Sequence, residues 1–151
     1  MTFSALPEFS GPAHYWPVLD NALREAAVRG VKIRIIVADW ALQEPMQSYL
    51  KSLTVLPGIQ VRFSRLPPAP RGFIDYARVE HCKYAVADDN LVYIGTGNWG
   101  WSYFNASVDS SVFMRGTQPA GVLKRIFDQD WTGPYTKALE PGQTYAPPRL
   151  H

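Results

Sequence analysis

His81-Cys82-Lys83-Tyr84-Ala85-Val86-Ala87-Asp88-Asp89-Asn90-Leu91-Val92-Tyr93-Ile94-Gly95-Thr96-Gly97-Asn98 is the stretch on which the reading of this chain turns. Its chemistry is that of a phosphate-handling site. Imidazole titrates near neutral pH, so His81 can serve as nucleophile or acid. Lys83 supplies a point cation to offset phosphate charge. Gly95, Thr96 and Gly97 form a turn whose backbone can approach an anion and aim N–H groups at it. Asn98 adds a side-chain amide for a non-bridging oxygen, a donor worth most where negative charge grows in the transition state. Each part has a plainer meaning when met alone. His-x-Lys by itself is an exposed strand face, and Gly-x-Gly by itself is a hairpin or bulge.

Working outward, the apolar alternation around the motif predicts a strand over Val79–Ala87 and a hairpin partner over Leu91–Ile94, turned by Asp88-Asp89-Asn90. Side chains two apart on a strand share a face. That places His81 and Lys83 together and sends Cys82 to the opposite face as a small core residue. Asp88, at the strand's end, is expected to make a structural ion pair or turn bond. Ser107–Met114 is a further strand candidate and carries Asp109.

Upstream, 1–15 is rich in Pro, Gly and Ser and is expected to be irregular; His14 within it reads as a packed or surface imidazole. Pro17 opens a helix that Gly30 ends. Val31–Ala38 reads as a strand entering a covered sheet, Glu44–Leu56 as an amphipathic helix stopped by Pro57-Gly58, and Ile59–Phe63 as the next strand. This strand–helix–strand order is the parallel unit of an α/β sheet. Asp39, at the end of the first strand, reads as a cap or loop carboxylate. Three prolines between Arg65 and Arg71 make a semi-extended loop, on which Arg71 and Phe73 are candidate substrate-rim residues together with Trp99 and Trp101 beyond the motif. Pro119–Trp131 is the last helix, followed by a tail that is expected to run over the surface. The predicted organisation is an irregular lead-in at 1–15, one domain over 16–135, and a Pro-rich tail over 136–151.

Composition narrows the class. At 151 residues and 46% apolar, the chain suits one folded domain. A net charge of +2 is too small for a general polyanion field, so phosphate binding has to come from local cations. Cys82 is the only cysteine, which excludes an internal disulfide and argues against a Cys-ligated zinc site. Met1–Gly11 has no signal-peptide pattern, and no apolar run approaches the ~20 residues of a membrane helix. The chain as given reads as soluble.

The spacing His81-x-Lys83-x4-Asp88-x6-Gly95-Thr96-x-Asn98 resembles the H-x-K-x4-D-x6-G-[ST]-x-N signature of the phospholipase D superfamily. Ordinary residue usage would produce so many coincidences in about one chain in 10^5 or fewer. The segment from Pro7 to Arg34, Tyr76-Ala77-Arg78-Val79-Glu80-His81-Cys82-Lys83-Tyr84, and the late Asp130-Trp131-Thr132-Gly133-Pro134-Tyr135 are similar to the second half of one branch, membrane-anchored endolysosomal enzymes that act as single-strand 5′-exonucleases. That branch has Asn where this chain has Glu80 and Cys82, Ser in place of Gly97, and no acidic residue at Asp109. Its disulfides have no counterpart here.

The resemblance implies a phospholipase D-like α/β sandwich, a mixed sheet flanked by helices, forming one half of the usual two-repeat enzyme. It implies phosphodiester hydrolysis without metal or other cofactor. One histidine attacks phosphorus to give a phosphohistidine, and a second protonates the leaving oxygen and then activates water. His81, Lys83, Asn98 and Asp109 are the expected catalytic residues, with Gly95, Thr96 and Gly97 joining Lys83 and Asn98 in holding the phosphate. The expected substrate is single-stranded DNA or RNA, with a phospholipid head-group ester as the alternative. A second motif must come from a homodimer mate or a missing N-terminal half; without it, the chain would be an inactive half that binds phosphate or a partner. An endolysosomal lumen is implied if the chain is cut from a membrane-anchored family member.

Overall fold

A computed structural model describes residues 16–150; the expected irregular lead-in, with His14, lies outside the described residues. Helix α1 (Val18–Val28) follows Pro17 and turns Leu19, Leu23 and Ala27 toward the core. Its outer face carries the Arg24–Asp20 pair at 2.8 Å, and Arg24 also reaches Ser52 on the next helix. Gly30 stops the helix at φ +85°, a conformation glycine adopts without a Cβ penalty.

Strands β1 (Ile33–Ala38) and β2 (Ile59–Ser64) pair in parallel, Ile33 against Ile59 through Ala38 against Ser64. Helix α2 (Met46–Thr54) makes the crossover and buries Tyr49, Leu50 and Leu53. Between them, Asp39–Leu42 forms a short 3-10 turn. Asp39 is buried there and bonded to Arg65 at 3.0 Å. Burial raises its pKa, while Arg65 acts in the opposite direction.

Strands β3 (Tyr84–Ala87), β4 (Leu91–Gly95) and β5 (Ser111–Arg115) form an antiparallel sheet in that order. The β3–β4 turn has Asp88 and Asp89 at φ +51° and +53°, the left-handed pair of the hairpin turn whose twist matches its strands. Asp88 thus takes the turn role, and the ion pair belongs to its neighbour, Asp89 with Lys124 at 2.7 Å. A five-residue helix α3 (Trp101–Asn105) precedes β5. The α/β class with mixed pairing is as expected, divided over two three-stranded sheets.

Helix α4 (Thr117–Thr132) packs on β3, β4 and β5 and also touches the first sheet. Trp131, at its end, is 8% exposed. The Arg62 guanidinium lies over the Trp131 ring at 4.8 Å and donates to the Trp131 carbonyl at 2.6 Å. Arg34 covers both Phe127 and Trp131, at 5.0 and 5.3 Å, and pairs with Asp128.

The chain beyond residue 135 departs from the expected surface course. Strand β6 (Thr136–Ala138) adds to β2 in antiparallel sense, and Leu139 is buried in the core. Tyr145 stacks edge-on against Phe63 and exchanges two backbone bonds with the Gln47 amide, at 3.0 and 3.1 Å. Proline content concealed this docking, because a three-residue edge strand followed by one buried leucine needs little apolar sequence.

Replacing Trp131 with Ala removes a buried ring and both cation–π stacks, so a loss of about 3–5 kcal/mol is expected. Urea unfolding checks it; a change below about 1 kcal/mol would show that α4 is held by other contacts.

Candidate active site

Lys83 is the most constrained of the motif side chains. The ladder between β3 and β4 continues one step beyond Tyr84, with Gly95 N–H donating to the Lys83 carbonyl at 2.9 Å. The Lys83 residue is 6% exposed, and its ammonium donates to the His81 carbonyl at 2.8 Å. An ammonium so enclosed loses hydration, and burial lowers its pKa. His81 itself is exposed. Desolvation, and then the neighbouring Lys83 charge, hold the imidazole pKa below its usual value.

His81, Lys83, Gly95 and Thr96 line one open cavity of about 520 Å³. Ile94 and Leu123 form an apolar part of its wall. Tyr84 also lines it, its phenol pKa pushed well up by burial, with Asp130 adding to the shift. Gly95 admits no side chain, since a Cβ there would strike the Tyr93 hydroxyl, which accepts a bond from Ser111 at 3.2 Å.

Three expectations change. The strand predicted from Val79 begins only at Tyr84, so 79–83 is irregular and strand alternation does not govern it. Cys82 is consequently exposed and lines the cavity beside His81, not the core. The strand predicted from Ser107 begins at Ser111, which leaves Asp109 in the preceding coil.

Asp109 there accepts from the Thr96 hydroxyl at 2.8 Å, and Thr96 Oγ1 accepts in turn from Ser110 N–H at 3.1 Å. Asn98 donates from Nδ2 to the Tyr103 hydroxyl at 2.9 Å. The structure thus gathers His81, Lys83, Gly95 and Thr96 around the cavity and ties Asp109 to its edge through Thr96. Gly97 and Asn98 follow in the same turn.

The proposed rim is dispersed. Phe73 is covered by the Arg149 guanidinium at 4.2 Å, and Arg71 is exposed on the same loop. Trp99 packs against the hydrophobic core and lies 6.2 Å from Tyr93, so it is more a core residue than a rim. Trp101 is partly buried at the start of α3. Leu123 was not singled out in the sequence, where it reads only as a core position of the last helix. Tyr103 carries no signal in the sequence that its hydroxyl bonds Asn98.

A fold of this kind, with the motif lining an open cavity, defines a phospholipase D-like domain. A family model described as "Cardiolipin synthase, PLD-like domain" matches residues 13–131. The chain is 38% identical to the 5'-3' exonuclease PLD3 of Rattus norvegicus over 93% of its own length, and 35% identical to the 5'-3' exonuclease PLD4 of Homo sapiens over 95%. Among solved structures, it superposes on NucT from Helicobacter pylori with TM-score 0.65 at 22% identity, covering 75% of this chain and 70% of that one. The phospholipase D family member Nuc from Salmonella typhimurium gives TM-score 0.66 at 17% identity, covering 82% and 74%. The chain belongs to the phospholipase D superfamily, in the branch of PLD3 and PLD4. It spans 31% and 32% of the length of those two relatives. No helix among the described residues is long and apolar enough to cross a membrane.

The His81 environment makes a direct prediction. Its imidazole is expected to titrate below about 6.5, the ordinary value, leaving the neutral ring dominant at pH 7. In Lys83→Met the midpoint should move back upward, because one positive neighbour is gone while desolvation remains. Proton NMR of the His81 ring across pH 4–9 (about the range of interest) decides it; a midpoint above 6.5 in the parent chain would contradict the assigned electrostatics.

Proposed function

We propose that this chain supplies one half of a phosphodiesterase site that cleaves single-stranded nucleic acid. The observation that carries the reading is the gathering of His81, buried Lys83, Gly95 and Thr96 around one cavity, in a chain 38% identical to a relative named as a 5'-3' exonuclease. The mechanism follows from what each group has to offer. Neutral His81 has a free ring lone pair and attacks phosphorus, and the bond to the leaving oxygen breaks as the phosphohistidine forms. A second histidine, from a second copy of the chain or from an N-terminal half, donates the proton that the leaving oxygen takes. Water, deprotonated by that same histidine, then releases the phosphate and restores His81.

Lys83 lies close enough to His81 to offset charge on the phosphoryl oxygens in this scheme. The amides of Gly95-Thr96-Gly97 and the carboxamide of Asn98 take the non-bridging oxygens. Asp109 has one oxygen on Thr96 and keeps the other for orienting an imidazole. Arg71 stays exposed and able to meet a strand outside the cavity, and Trp99 packs on the core behind the turn. The scheme uses no metal.

A second reading is cleavage of a phospholipid head-group ester. The family description as a cardiolipin synthase domain and the apolar wall of Ile94 and Leu123 favour it. Labelled single-stranded oligonucleotide and vesicles containing phosphatidylglycerol, each incubated in EDTA, separate the two. Oligonucleotide cleavage that survives EDTA and falls by at least about 10³-fold in His81→Ala is expected, the scale of loss when a catalytic group is removed. Cleavage unchanged in that variant would sink the assignment of His81. Turnover of the vesicles alone would move the substrate to lipid. Inactivity toward both, with light scattering reporting a monomer, would leave an inert half that binds phosphate or a partner.

A further inference from the structure

Asn98 is the motif residue whose surroundings are least explained by phosphate chemistry alone. A carboxamide carries two N–H donors and one acceptor oxygen. Here Nδ2 gives one hydrogen to the Tyr103 hydroxyl at 2.9 Å, and Oδ1 is buried with no hydrogen-bond partner among the described residues. A buried acceptor without a donor costs about 1–3 kcal/mol. The surrounding turn therefore has to hold the amide in place against that penalty.

The turn is built to do so. Gly100 N–H donates to the Asn98 carbonyl at 3.1 Å and closes the chain behind it. Tyr103 N–H then donates to the Gly100 carbonyl at 3.2 Å, which fixes Tyr103 relative to Asn98. On the other side, Asp109 grips Thr96. Gly97 lies between the two grips. A Cβ placed there would come within 3.2 Å of Tyr103 Cβ and 3.1 Å of Asp109 Cγ. A side chain at 97 would have to move Tyr103 or Asp109 by a few tenths of an ångström, so both residues pack closely on the turn. Tyr103 is 37% exposed, so its ring gains only part of what full burial would offer.

We propose that Tyr103 is a positioning residue of this site: its hydroxyl holds the Asn98 carboxamide so that one amide hydrogen is kept by Tyr103 and the other is presented to a phosphate oxygen. The proposal rests on reading the cavity as a phosphodiester site and adds the residue that orients its amide donor. Tyr103 acts through Asn98 and does not itself touch the reacting atoms.

Tyr103→Phe tests it, because the ring and its packing on Gly97 stay while the hydroxyl goes. The probe is inorganic phosphate titrated into the ¹⁵N-labelled full chain, with the Asn98 side-chain amide signals as the readout. In the parent chain those signals should shift on adding phosphate, and one of the two amide hydrogens should exchange slowly with water. In Tyr103→Phe the slow hydrogen should exchange freely and phosphate should bind roughly three- to tenfold more weakly, the size of one net hydrogen bond. The double variant Tyr103→Phe/Asn98→Ala should bind no more weakly than Asn98→Ala alone, since the two residues act as a unit. In turnover, Tyr103→Phe should lower kcat/KM by a similar factor. Parent-like phosphate binding in Tyr103→Phe, or additive losses in the double variant, would overturn the proposal. A parent chain whose Asn98 amide ignores phosphate would instead overturn the reading of the cavity as a phosphate site.

Discussion

The stacking of Arg34 and Arg62 on Trp131 is the interaction on which the arrangement of this domain depends. Two small sheets, one mixed and one antiparallel, need a common partner to bury their faces. Helix α4 is that partner: its body packs against the antiparallel sheet, and its last turn brings Trp131 to the two arginines of β1 and β2. Indole presents a broad apolar surface with a negative face, which suits guanidinium on either strand. Asp128 and the Trp131 carbonyl add directed bonds to the same two arginines. The Lys124–Asp89 pair ties the same helix to the hairpin turn beside the motif. Position and register of the cavity follow, because its far wall is Leu123 of this helix.

Within that frame, the motif separates its two functional groups by environment. Lys83 is enclosed and held by a backbone carbonyl, so its charge is fixed in place before any anion arrives. His81 stays exposed, and the neighbouring cation together with desolvation favours its neutral form. A fixed cation beside a neutral imidazole is the pairing that the proposed attack on a phosphodiester would use. Electrostatic preorganisation of this kind carries no reorganisation cost during reaction.

The parallel unit was legible because hydrophobic period and punctuation agree there. Pro17, Gly30 and Pro57-Gly58 bracket amphipathic runs that bury Ala27, Leu50 and Leu53, although Gln47 is buried too and Val18 is exposed. Residues 79–83 were misread because apolar alternation persists where the ladder does not: Val79 looks like a strand residue, yet pairing begins at the Lys83 carbonyl. Cys82 went to the wrong side for the same reason. Asp109 was placed on a strand that starts two residues later, so its contact with Thr96 could not be anticipated. The course of the chain beyond residue 135 was hidden by proline, although Leu139 and Tyr145 are buried or packed.

By itself the sequence determined the superfamily and the α/β class and marked out a candidate set of phosphate-handling groups, because these depend on residue identity at fixed spacing along the chain. Only the tertiary structure decided which of those groups share a cavity, that Cys82 stands beside His81, and that Thr96 and Asn98 are gripped by Asp109 and Tyr103. Those facts depend on how irregular segments bend once their ends are held by sheets and by α4. Local periodicity carries no information about that bend.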